Sequence, residues 1–151
     1  MFRRVLLATV LSAAFVTGAS AATVSYSASL SGAKEIPKID SKATGKMDAT
    51  FDTTTKALNY TLTFDGLTGP ATAAHIHGPG TRAQSAGVVA PLGAKGPTSP
   101  VTGSVTLTDD QIKMLKSSSL YANIHTAANP GGEIRGQIVV VKAKKAAAAA
   151  K

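Results

Sequence analysis

The chain contains three histidines, His75, His77 and His125, and no cysteine. Without thiols, disulfides, thiolate zinc sites, iron–sulfur clusters and cysteine nucleophiles are all excluded, and imidazole is the best donor left for a borderline metal ion. In Ala74-His75-Ile76-His77 the two imidazoles stand two residues apart. On a strand they project from one face and Ile76 from the other. The same alternation in Tyr121-Ala122-Asn123-Ile124-His125 sets Ile124 against Tyr121, Asn123 and His125, and it sets Ile134 against Glu133 and Arg135. With the isoleucines facing a core, His75, His77 and His125 share a polar face on which Asn123, Glu133 and Arg135 could orient the rings. Three imidazoles suit one copper(II) or zinc(II) ion with a position left open for water or another ligand. They serve equally well as hydrogen-bonding groups for nearby loops. Glu133, two residues from Arg135, is expected to pair with that guanidinium. No G-x-S-x-G, G-x-x-x-x-G-K-[ST] or H-E-x-x-H motif occurs, so no catalytic residue is assigned.

These residues need strands to hold them. Apolar residues recur at every second position through Val24, Tyr26, Ala28 and Leu30 and again through Leu58, Tyr60, Leu62 and Phe64. The same period appears around Val101, Val105 and Leu107 and through Ile134, Ile138 and Val140. Period 2 marks half-buried strands. Turn residues punctuate them at Ser31-Gly32, Asp52 to Thr55, Asp65-Gly66, Gly78-Pro79-Gly80, Gly96-Pro97 and Asn129-Pro130-Gly131-Gly132. One helix is expected, where Thr108 and Gln111 form a capping box ahead of Ile112 and Leu115. The pattern predicts an all-β domain, an antiparallel Greek-key sandwich or barrel of about seven or eight strands with one short helix.

The ends differ in composition from this body. Arg3 and Arg4 precede an apolar run from Val5 to Val16, and Ala19-Ser20-Ala21 reads as a cleavage site, so residues 1–21 are expected to be a signal peptide. Cleavage near Ala21/Ala22 would deliver the domain of residues 22–141 to the periplasm or the cell exterior, with no transmembrane segment retained. Residues 142–151 form a Lys/Ala-rich tail, expected to be a disordered, solvated end able to touch anionic surfaces. The formal net charge of +8 belongs mostly to these ends. Between Ala22 and Val141, ten Lys/Arg face eight acids, a net +2 and no footprint for nucleic acid.

Three ordered blocks, Ala74-His75-Ile76-His77-Gly78-Pro79, Tyr121-Ala122-Asn123-Ile124-His125-Thr126 and Asn129-Pro130-Gly131-Gly132-Glu133-Ile134-Arg135-Gly136-Gln137, together resemble the CHRD domain. This module is named after chordin and is also found alone in exported bacterial proteins. The resemblance covers about Ala22 to Val141 and implies a β-sandwich that works as a non-catalytic binding module, docking to a protein or a cell-surface polymer. The module is also distantly similar to Cu/Zn superoxide dismutase, which carries an H-x-H on a sandwich strand, and that likeness implies copper ligation by His75, His77 and His125. The chain departs from it in having no fourth copper histidine, no zinc-ligand cluster and no disulfide. Two readings follow: an exported binding module, or a periplasmic copper- or zinc-binding protein with a three-His site, redox-active if the ion is copper.

Overall fold

The computed structural model describes residues 22–141, so the candidate signal peptide and the Lys/Ala tail lie outside the described residues. The expected alternation is present from the first strand. In β1 (Thr23–Ser31) Tyr26, Ala28 and Leu30 are buried between outward-facing serines. Its partner β2 (Thr44–Asp52) buries Met47, Ala49 and Phe51, and β3 (Ala57–Asp65) buries Leu58, Tyr60 and Leu62. The chain continues through β4 (Ala71–His77), β5 (Val88–Pro91), β6 (Val101–Thr106), helix α1 (Asp109–Lys116), β7 (Tyr121–Thr126), β8 (Ile134–Gln137) and β9 (Val139–Val140).

All pairings are antiparallel and form one sheet in the order β5-β4-β7-β8-β1-β2-β3-β6, with β9 also on β1, rolled nearly into a barrel. The count of nine against the expected seven or eight has a local cause. β8 and β9 are one strand interrupted at Ile138, whose N–H donates to the Leu120 carbonyl at 2.9 Å, one step beyond the last β7–β8 pair Tyr121 and Gln137, while its side chain is fully buried. The interruption loosens the seam with β1, where Ser31 pairs with Arg135 and Ser27 with Val139 but nothing is paired between them. Inside the roll lies an aliphatic core that includes Leu30, Phe51, Leu62, Ile76, Leu107, Ile124 and Ile134. Complete burial of side chains of this size, each contributing roughly 1.5–3 kcal/mol, is what compensates for the absence of Trp.

The helix forms where its capping signal stands. Gln111 N–H donates to Thr108 Oγ1 at 3.3 Å and the Gln111 side chain accepts from Thr108 N–H at 2.9 Å, while Leu115 seats the helix on the core.

Candidate functional site

β4 and β7 are neighbours, and their register aligns His75 with Asn123, Ala74 with Ile124 and His77 with Tyr121. Residues directly opposite in an antiparallel pair share a face. Ile76, Ala122 and Ile124 therefore enter the core, and His75, His77, Tyr121, Asn123 and His125 stand on the outer face. One donor nitrogen from each of His75, His77 and His125 lies within 4.8 Å of the others. His75 Nδ1 and His125 Nε2 are 3.0 Å apart, and the His75 ring centroid lies 5.6 Å from that of His77 and 4.9 Å from that of His125.

Backbone carbonyls decide which nitrogen of two rings is available. A carbonyl can only accept, so His77 Nδ1, 2.9 Å from Ala86 O, and His125 Nδ1, 2.9 Å from Pro130 O, both carry the proton. In the neutral ring the lone pair is then on Nε2. For His77 that Nε2 is buried with no partner among the described residues. For His125 it meets the Nδ1–H of His75. A carbonyl holding the far nitrogen of a ring is the arrangement that fixes tautomer and orientation in metal-bound histidines. Burial lowers the pKa of both His75 and His125; the other two imidazoles lower that of His75 further, and at His125 the bond to the Pro130 carbonyl works upward while His77 works downward. At pH 7 these rings are neutral and able to ligate. A tetrahedral ion with bonds of about 2.05 Å needs nitrogens about 3.3 Å apart, so the widest of these separations must close by up to about 1.5 Å, whereas His75 Nδ1 and His125 Nε2 are already 3.0 Å apart.

The polar face is covered. The segment 78–87 between β4 and β5 folds over it and is gripped almost entirely through its backbone. Gln137 Nε2 donates to Gly80 O at 2.8 Å, and Arg135 Nη2 donates to Thr81 O and Gln84 O at 2.7 and 2.8 Å. Tyr121 OH accepts from Ala86 N–H at 3.0 Å. Beneath the cover, the rings of Tyr121 and His77 are parallel within 6° with centroids 5.0 Å apart, and Arg135 Cζ sits 3.4 Å from the Tyr121 centroid. Because β4 and β8 flank β7 on opposite sides, Tyr121 is the middle layer of a His77–Tyr121–Arg135 stack, a desolvated cation–π contact of the stronger kind.

Two acids depart from the sequence reading. Glu133 is neither beside the imidazoles nor paired with Arg135. The ladder of β8 begins only at Ile134, so the alternation does not extend to Glu133, and its carboxylate points to the barrel end. There it accepts from Ser41 Oγ (2.7 Å), Thr68 N–H (2.9 Å), Thr68 Oγ1 (2.7 Å) and Thr126 Oγ1 (2.7 Å). Burial opposes its ionisation, but these donors outweigh it and hold the pKa down at about 2. The second acid is Glu35, which sequence reasoning passed over. It follows the 3-10 turn Gly32–Lys34, is 7% exposed, and lies beside the Asn123 amide and Gly132. Burial pushes its pKa up to about 7 against the pull of Arg135. Gly132, at φ +131°, leaves room for Glu35 and Asn123 that any Cβ would fill. Asn123 shares the outer face with His75 and sits between the imidazoles and this acid, its Oδ1 buried without a partner among the described residues.

An antiparallel all-β roll with a covered, histidine-bearing outer face defines the chain as a small β-barrel-like domain. Its family follows from the whole length of the roll: the family model described as the CHRD domain matches residues 26–138, and the chain belongs to the CHRD family. No curated protein and no solved structure matches it.

Proposed function

We propose that this CHRD module is an exported binding protein whose own ligand is a single divalent transition-metal ion, copper(II) or zinc(II), held by His75, His77 and His125. The observation that carries the reading is the unpartnered, buried Nε2 of His77 in a cluster that brings one donor nitrogen of each imidazole within 4.8 Å of the others, with the rings of His77 and His125 each fixed by a carbonyl on the far nitrogen. Unfilled, that buried nitrogen costs roughly 1–3 kcal/mol, which a metal bond recovers. Copper in such a site would be redox-capable. The acids Glu133 and Glu35 are not ligands in this reading. Export through residues 1–21 belongs to it as well and is read from the intact mass of the protein recovered outside the cytoplasm.

Calorimetric titration of the untagged protein tests the metal reading. One ion per chain is expected to bind, with the melting temperature rising as free metal exceeds Kd. Because burial lowers the pKa of His75 and His125, affinity should survive acidification below 6.5, the ordinary imidazole value, and then fall. His77→Ala should remove most of the affinity. Saturation absent at micromolar metal, or unchanged in a His75→Ala/His77→Ala double variant, overturns the reading.

A further inference from the structure

The interrupted seam between β1 and β8/β9 opens on the outer face into a cavity of about 360 Å³, within the range of small-molecule sites. It is separate from the imidazoles. Three cationic side chains line it, Lys34, Arg82 and Arg135, together with Ser27, Ser29 and Gln137. Among the described residues no carboxylate lies within ion-pair distance of any of the three cations.

Arg135 is the unusual member. It is 2% exposed, yet the hydrogen-bond partners of its guanidinium, Thr81 O and Gln84 O, are neutral carbonyls. A buried charge satisfied only by neutral dipoles gains from an anion placed against it, because a charge-assisted bond in a low-dielectric site is about twice as strong as a neutral one. The nearest acid, Glu35, is a poor counter-charge, since its carboxyl is pushed up to about 7 and is only partly ionised at neutral pH. Lys34 is anchored at the cavity wall by donating to Ser29 O and to Ser29 Oγ, the latter at 3.1 Å, and Arg82 stands exposed at the rim on the covering segment. Gln137 adds a complementary group. Its Nε2 is committed to Gly80 O and Ser118 O, whereas its Oε1 is buried and accepts nothing among the described residues. That oxygen needs a donor, which a fully deprotonated oxyanion such as sulfate lacks and a hydroxyl supplies.

We infer that the seam cavity is a binding site for a small hydroxylated organic anion, of the class of a sugar acid or a sugar phosphate. The oxyanion is taken by Lys34, Arg82 and Arg135, and a neighbouring hydroxyl donates to Gln137 Oε1. The site does not depend on metal, so it stands or falls separately from the three-imidazole reading.

The test is calorimetry on the chelator-treated, untagged protein at fixed ionic strength in sodium chloride, with glucuronate, glucose 6-phosphate, sulfate and glucose as probes. Saturable binding of glucuronate or glucose 6-phosphate at least tenfold tighter than of glucose is expected, and the tighter of the two identifies the carboxylate or the phosphate ester as the natural head group. Sulfate, which has no hydroxyl to offer Gln137 Oε1, should bind more weakly than glucose 6-phosphate. The Lys34→Gln/Arg82→Gln double variant, whose changes lie at exposed positions, should keep the wild-type melting temperature and lose about a hundredfold in affinity, the worth of two charge-assisted contacts at about tenfold each. Equal response to glucuronate, glucose 6-phosphate and glucose overturns the inference. So does undiminished binding by the double variant, or binding of sulfate as tight as that of the sugar phosphate.

Discussion

Replacing Glu133 by Gln separates a structural carboxylate from a metal-site one, and the size of the effect can be reached by two routes. The carboxylate accepts four hydrogen bonds of 2.7–2.9 Å. Glutamine can place its oxygen toward Ser41 and Thr68 N–H and its amide toward the two threonine hydroxyls, which rotate to accept. The geometry survives and the charge assistance is lost, which at roughly 0.5–1 kcal/mol per bond amounts to ~2–4 kcal/mol before the relief of not burying an ion. By the second route, the fall of the pKa from 4.5 to about 2 is worth at most ~3 kcal/mol. The group is closed to solvent but lies under a shallow cover at the barrel end, so screening reduces this to about 2 kcal/mol. Both routes give a loss of about 2 kcal/mol at pH 7, roughly 6–10 °C in melting temperature for a domain of this size. A carboxyl whose folded pKa is depressed stabilises above its unfolded value and loses that contribution as pH falls through the folded value. The gap between wild type and Glu133→Gln should therefore be full above pH 5 and close between pH 4.5 and 2. Urea unfolding followed by circular dichroism at pH 7, 4.5, 3 and 2 measures it. A variant as stable as wild type at pH 7, or a gap still open at pH 2, would refute the assignment of this carboxylate as the ionised hub of the barrel end. Metal affinity should be untouched.

Glu35 should behave in the opposite sense. Its folded pKa is raised to about 7, so the stability of the neutral form is complete below about 4.5 and declines as pH rises to 7. Glu35→Gln should abolish that decline and gain about 2 kcal/mol over wild type at pH 8 in the same unfolding assay. Ile124→Ala, at a fully buried position, should cost about 2–5 kcal/mol, whereas His125→Ala in metal-free protein should cost well under 2. Chemical denaturation of the two variants side by side checks the difference in facing.

Much of the site was legible because strand alternation is a strong rule over short distances. Ile76 and Ile124 locate the core side of β4 and β7, and that alone sets the outward direction of all three imidazoles. Adjacency of the two strands is a long-range fact, and nothing local in either segment encodes it. The cover was not legible for a related reason. Gly78-Pro79-Gly80 says that the chain turns, not that the following residues lie back over the sheet, so nothing local announces that the polar face is buried at His77, Asn123 and Arg135. Glu133 was misplaced by extending alternation one residue beyond the strand. Glu35 had no signal at all, since it sits in a stretch without periodicity between β1 and β2 and owes its character to Gly132 and Asn123, almost 100 residues away in the chain.

The grip on segment 78–87 by its main chain has an evolutionary consequence. The atoms that secure it are carbonyls of Gly80, Thr81, Gln84 and Ala86 and the N–H of Ala86, which every substitution short of proline leaves in place. The side chains of residues 81–85 point to solvent and contribute little to holding the segment. Those five positions can therefore be rewritten by drift at almost no cost to folding, while the path of the main chain over the imidazoles stays the same and only the side chains at the rim of the seam cavity, Arg82 among them, change. Such a segment is a place where relatives can acquire different ligand preferences on an unchanged frame, and where insertions that break the carbonyl spacing would be purged first.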